Sequence, residues 1–139
     1  MIHAQDGKVV ELFAPQSVAT NGTASGTVSC LGFAYATVYL HLGTAAASNV
    51  DGTVQVSEAD GTTYATHADL AMTTAAPNTS AGQIYAWFID LRKRKKNLKI
   101  QYNPNTNVAR LAEAHVVLSR AQNVPDTATL RGLAAQVIA

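Results

Sequence analysis

Six of the ten Lys and Arg residues in this 139-residue chain lie in eight consecutive positions, Arg92 to Lys99, within the stretch WFIDLRKRKKNLKI. Arg offers a planar fork that pairs with carboxylates or phosphates, and Lys a mobile point charge, so such a run suits an anionic partner. The four histidines are His3, His41, His67 and His115. They are widely separated and none falls in a metal-ligand pattern such as H-E-x-x-H, so each reads as a polar-face or satisfied core residue.

Other catalytic patterns are equally thin. Ser, His and Asp all occur, but without a nucleophile elbow. No glycine-rich phosphate loop leads from a strand into a helix, and Asp51, Glu58 and Asp60 lack the spacing of an EF-hand loop. Cys30 is the single cysteine; it can form no intramolecular disulfide and reads as a small buried hydrophobe. The expectation is a chain with no enzymatic activity, no cofactor and no metal site.

The elements that must carry the basic run are short strands. Only 14% of residues are charged, against roughly 25% in ordinary soluble domains, and Thr, Ser, Asn and Gln supply the remaining polarity. Nine acidic and four basic residues lie outside Arg92–Lys99, so the positive charge is local. No stretch shows the pattern of a secretion signal or a membrane span, and the expectation is a protein neither exported by a standard signal nor inserted in a membrane.

Alternation is clearest in FAYATVYLHLG, where Ala34, Ala36, Val38, Leu40 and Leu42 fall on one face and Tyr35, Thr37, Tyr39 and His41 on the other. Lys8 to Ala14 reads as a first strand stopped by Pro15. In the stretch around Asp60-Gly61, spacing predicts a hairpin with a tight positive-φ turn. Gln83 to Leu91 is apolar on both faces, which predicts a central strand in which Trp87 and Phe88 fill the core. Residues 108–118 and 127–138 each fit a strand or a helix, and an extended arm is the preferred reading of the C-terminal end.

About eight short strands with regular turn signals predict an all-β, single-domain β-sandwich of jelly-roll or Greek-key type over residues 1–139. Its core spans about 8–120, with extended arms at 1–7 and 121–139. If Gln83–Leu91 and Asn97–Asn103 are antiparallel neighbours, Arg92, Lys93, Arg94, Lys95 and Lys96 form the connecting loop and project together at one end. A solvated loop and a dock for an acidic protein surface then rank about equally, and nucleic acid ranks well behind because aromatic platforms do not interleave the cations. Tyr35, Tyr39 and His41, on the polar face of their strand, are candidates for a contact between subunits.

The order KVVELFAP, LGFAYATVYLHLGTA, VQVSEADGTTYA, FIDLRKRKKNLKIQYNP, VVLSRA resembles that of small tailed-bacteriophage virion proteins associated with the capsid, described as cement or decoration proteins. The resemblance runs from about Lys8 to Ala121. It implies a β-sandwich or jelly-roll subunit, often a homodimer or homotrimer, made in the host bacterial cytoplasm, that binds the major capsid protein on the outer surface of the shell and braces it. No catalytic residues are implied. Two alternatives stay open: a tail- or fibre-associated carbohydrate-binding sandwich using Tyr35, Tyr39 and Tyr85, and a capsid-interior protein contacting DNA through the basic loop.

Overall fold

A computed structural model describes residues 7–45, 52–71, 81–104 and 108–121. Its strands are β1 (Lys8–Val18), β2 (Ala24–Ser29), β3 (Phe33–Leu42), β4 (Thr53–Ala59), β5 (Ala65–Thr66), β6 (Gln83–Asp90), β7 (Asn97–Asn103) and β8 (Arg110–Ala121). They form two antiparallel four-stranded sheets, ordered β1-β8-β3-β6 and β2-β7-β4-β5. Each connection crosses from one sheet to the other except that between β4 and β5. This winding is the jelly roll, one of the two forms expected.

The core follows from period-two patterning. Along β3, Ala36, Val38, Leu40 and Leu42 are buried while Tyr35, Thr37, Tyr39 and His41 are half-buried on the outer face. β8 lies between β1 and β3, and its buried residues Ala112, Ala114, Val116 and Leu118 meet Leu98, Ile100 and Tyr102 of β7 in one cluster. Of residues 108–118, those from Arg110 on form strand, since burial there repeats every second residue. Side chains of this kind each contribute about 1.5–3 kcal/mol when Val- or Leu-sized. The sheets converge where Gly26 of β2 meets the backbone of Leu12 in β1, and a Cβ at Gly26 would collide with it.

Four expectations are corrected. Pro15 does not end β1: the strand runs on to Val18, with register shifts between Glu11 and Phe13 and between Phe13 and Gln16. A bulged edge strand tolerates a residue with no N–H to donate. Gln83–Asp90 is an edge strand, not a central one, because only β3 pairs with it among the described residues. β6 and β7 are not neighbours but belong to opposite sheets, so the basic turn between them bridges the sandwich. The β4–β5 hairpin exists, pairing Glu58 with Ala65, yet neither Asp60 nor Gly61 has positive φ; a longer connection has no need of the tight-turn geometry.

The expected arms at 1–7 and 121–139, apart from Gly7 and Ala121, lie outside the described residues, as do His3, Asp51 and the segment 127–138.

Candidate partner-binding surface

At the end of β6 the chain makes a short 3-10 turn, Leu91–Lys93, that anchors itself in the core through buried Leu91. Asp90 caps it: the Arg92 backbone N–H donates to Asp90 Oδ1 at 3.1 Å. The Arg92 guanidinium folds back on the same carboxylate, with Nε 2.9 Å from Oδ1 and Nη2 2.5 Å from Oδ2. This forked pairing holds the Asp90 carboxyl down at about 2, well below the usual carboxylate range, and pushes Arg92 up in turn.

Arg94 points the other way, into the sandwich end. Its Nη2 lies 3.0 Å from Asp69 Oδ2 and its Nη1 3.9 Å from Glu58 Oε1, and Glu58 itself is buried. The backbone beyond it is held by the same hairpin, since Lys95 N donates to Glu58 Oε2 at 3.4 Å and Lys96 N to Asp60 Oδ1 at 3.3 Å. Carboxylates that look isolated in sequence therefore shape the basic turn.

The expectation that five cations project together is corrected by this geometry. Arg92 and Arg94 are committed to intramolecular pairs, and Arg94 is only 14% exposed. Lys93, Lys95 and Lys96 are exposed, and no ion pair among the described residues engages them. The sixth cation, Lys99, lies away from them on the outer face of the other sheet, over the Tyr64 ring at 5.6 Å.

Tyr35, Tyr39 and His41 do share a face, as expected, and Arg92 joins them to the basic turn. The Tyr35 ring takes two guanidinium groups, Arg92 at 5.4 Å and Arg120 at 5.5 Å from its centre. Cation–π contacts of this kind hold the ring and both arginines in place. Further along, Tyr39 stacks on His115, with centroids 5.1 Å apart, and His41 Nε2 lies 3.5 Å from Glu113 Oε1. The histidines read as separate in the sequence are thus partly brought together: His41 and His115 sit on paired strands with ring centres 5.4 Å apart.

The expectation that Trp87 and Phe88 both fill the core is corrected for Phe88, because neighbours in a strand point to opposite faces. Trp87 fills the core as expected, its Nε1 donating to the Leu70 carbonyl at 3.2 Å. Phe88, next in the alternation, points outward and is 81% exposed, with Ile84 on the same face of β6 and Leu111 also exposed. Phe88 lies between a shallow depression lined by Tyr35 and Thr37 and another lined by His67, Asp69, Lys93 and Arg94. An exposed aromatic beside exposed lysines, on a sheet edge that no other described strand pairs with, can take up a partner through apolar contact, charge and strand pairing together.

The second sheet carries a polar groove on its outer face, lined by Gln55, Ser57, Tyr64, Lys99 and Gln101. Tyr85 does not join Tyr35 and Tyr39 in a stacking platform: it pairs opposite Leu40 on the inner side and packs against the core. Cys30 is buried, and burial pushes its thiol up to about 12. No helix among the described residues is long and apolar enough to cross a membrane.

No family model matches this chain, and none of the curated proteins matches it. A solved structure described as "Structure of infectious bursal disease virus Gx strain" is similar over 84% of this chain at 10% identity, with a TM-score of 0.39. The match covers 32% of that chain, so the present chain spans about a third of its length. A likeness this distant carries no inference about role.

Proposed function

We propose that this chain is a structural virion protein that binds the outer surface of a tailed-phage capsid and stabilises it. The partner is the major capsid protein, with further contacts between copies of the chain itself, and no molecule is transformed. One observation carries the reading most directly: Phe88, 81% exposed on the edge strand β6, leads within a few residues to the exposed Lys93, Lys95 and Lys96. An apolar anchor with a charged rim is the arrangement of a protein-binding patch. The sequence resemblance to cement proteins supplies the partner's class, since fold alone supplies none.

Mechanically, a jelly roll needs no internal movement to act as a brace. Contacts of modest strength repeated over a lattice hold firmly, because each bound neighbour raises the effective concentration of the next contact. Capsid shells lacking the protein test the reading by co-sedimentation. The purified chain is expected to bind them, and replacing Lys93, Lys95 and Lys96 by Ser should lower occupancy and make it fail at lower salt. Wild-type protein that does not bind shells contradicts the reading.

A second reading has its own observation. The groove over β4 and β7, with Tyr64 beside Gln55, Gln101 and Lys99, offers an aromatic face and amide groups suited to a sugar, as in a carbohydrate-binding fibre module. A glycan-array signal lost in Tyr64→Ala, with no affinity for shells, would favour it.

A further inference from the structure

We propose that His41, Glu113 and His115 form a site for a divalent transition-metal ion, with zinc the ion that its donors suit best. His41 on β3 stands directly opposite Glu113 on β8, and His115 follows on the same face of β8, opposite Tyr39. Glu113 Oε1 lies 3.5 Å from His41 Nε2 and 3.4 Å from His115 Nδ1. Ligand atoms of all three residues fall within 4.8 Å of one another.

The spacing compares with two arrangements. A charge-assisted hydrogen bond from an imidazolium to a carboxylate closes to about 2.7–2.9 Å, and both imidazoles stand back from that distance. A tetrahedral zinc ion with bonds of about 2.0–2.1 Å to nitrogen and oxygen separates its ligand atoms by about 3.3–3.4 Å. The two edges that meet at Glu113, 3.5 and 3.4 Å, lie near the ion's ligand spacing, and all three ligand atoms fall within 4.8 Å of one another.

The scaffold is suited to holding such a site. β3 and β8 are the two inner strands of their sheet, so their outward side chains have fixed positions, whereas a loop would let them drift. Tyr39 stacks on His115 with an interplanar angle of 27°, which fixes the ring. The three side chains are between 27% and 38% exposed, so an ion can enter from solvent. Two imidazoles and one carboxylate select a borderline ion such as zinc over calcium or magnesium, which prefer all-oxygen shells. The fourth position faces outward. Water can complete the shell there, and Glu11 of β1, exposed and paired opposite His115 on the same face, adds negative charge to the surroundings.

The test uses the whole chain, freed of metal by a chelator and titrated with cobalt(II) as a visible probe and with zinc by calorimetry. One ion per chain is expected, with the absorption of four-coordinate cobalt and a zinc-dependent rise in melting temperature. His41→Gln and His115→Gln should each weaken zinc binding by at least about tenfold, whereas His67→Gln, on the separate turn at Ala68–Leu70, should leave it unchanged. Melting in chelator establishes that each variant is folded. In the wild type, paramagnetic broadening by cobalt should centre on Tyr39, His41 and His115, a readout independent of the variants. Absence of binding, or binding that survives both substitutions with broadening elsewhere, overturns the proposal.

Discussion

Arg94 Nη2 lies 3.0 Å from Asp69 Oδ2, joining the basic turn to the segment that follows the β4–β5 hairpin. The same guanidinium faces buried Glu58 at 3.9 Å. The run of cations is thus divided into arginines that hold the end of the sandwich together and lysines that face solvent.

Arg94→Ala should therefore act on stability. Removing the guanidinium leaves the Glu58 carboxylate buried with its charge partner gone, a loss of about 1–3 kcal/mol. Replacing Lys93, Lys95 and Lys96 by Ser should stay within about 0.5 kcal/mol for each exposed site. Urea unfolding of the two variants checks this, and the opposite order of stabilities would contradict the assignment.

Asp90 titrates with the turn. Its carboxyl is held at about 2 by Arg92, so it is depressed relative to the unfolded chain. The associated stabilisation is present above the ordinary carboxylate pKa of about 3.9 and is lost as pH falls through about 2. Carbon-detected NMR of the Asp90 carboxyl should find the low midpoint and see it return to the ordinary range in Arg92→Ala. An ordinary midpoint in the wild type would mean that the fork is not formed in solution.

Cys30 should be inert in the folded protein. Burial raises its thiol from 9.0 to about 12, so the reactive thiolate is scarce at neutral pH. A thiol reagent should modify it quickly in denaturant and slowly without. The sign of the pH effect follows: the unfolded thiol ionises first, so stability falls as pH rises from about 9 towards about 12. Equal labelling rates in the two states would contradict the burial.

Gly26→Ala should destabilise by about 1–3 kcal/mol or more, because the added methyl meets the Leu12 backbone, which cannot swing aside as a side chain can. Thermal melting measures the change; an unaltered midpoint would show that β1 and β2 separate readily.

Phe88→Ser should leave the fold intact, since the ring is 81% exposed, and should reduce occupancy on capsid shells more than any single lysine change, as expected of an apolar anchor. Co-sedimentation with shells, paired with a melting curve, separates the two effects. Full occupancy with Phe88 removed would move the contact elsewhere.

Much of the fold was legible because burial alternates along single strands. β3 displays both faces in its residue types, and the buried half is the half expected. β6 misled for a physical reason: alternation reports which residues share a face, not whether an apolar face is covered, and Ile84 and Phe88 are apolar yet exposed. The candidate surface was harder still to read. That Arg94 meets Glu58, or that His41 meets His115, depends on which distant strands pair and in what register, and no local pattern carries that information. Basic residues announce themselves as a run, and Asp90 stands beside it, but the other carboxylate partners, Glu58 and Asp69, are distant in the chain.

The proposed capsid-binding role is decided by a cryo-EM map of the assembled particle. Density for this jelly roll is expected on the outside of the shell, with the β6 edge, Phe88 and the exposed lysines turned towards acidic residues of the major capsid protein. Particles whose shell carries no such density, or a subunit seated with this edge facing solvent, would contradict it.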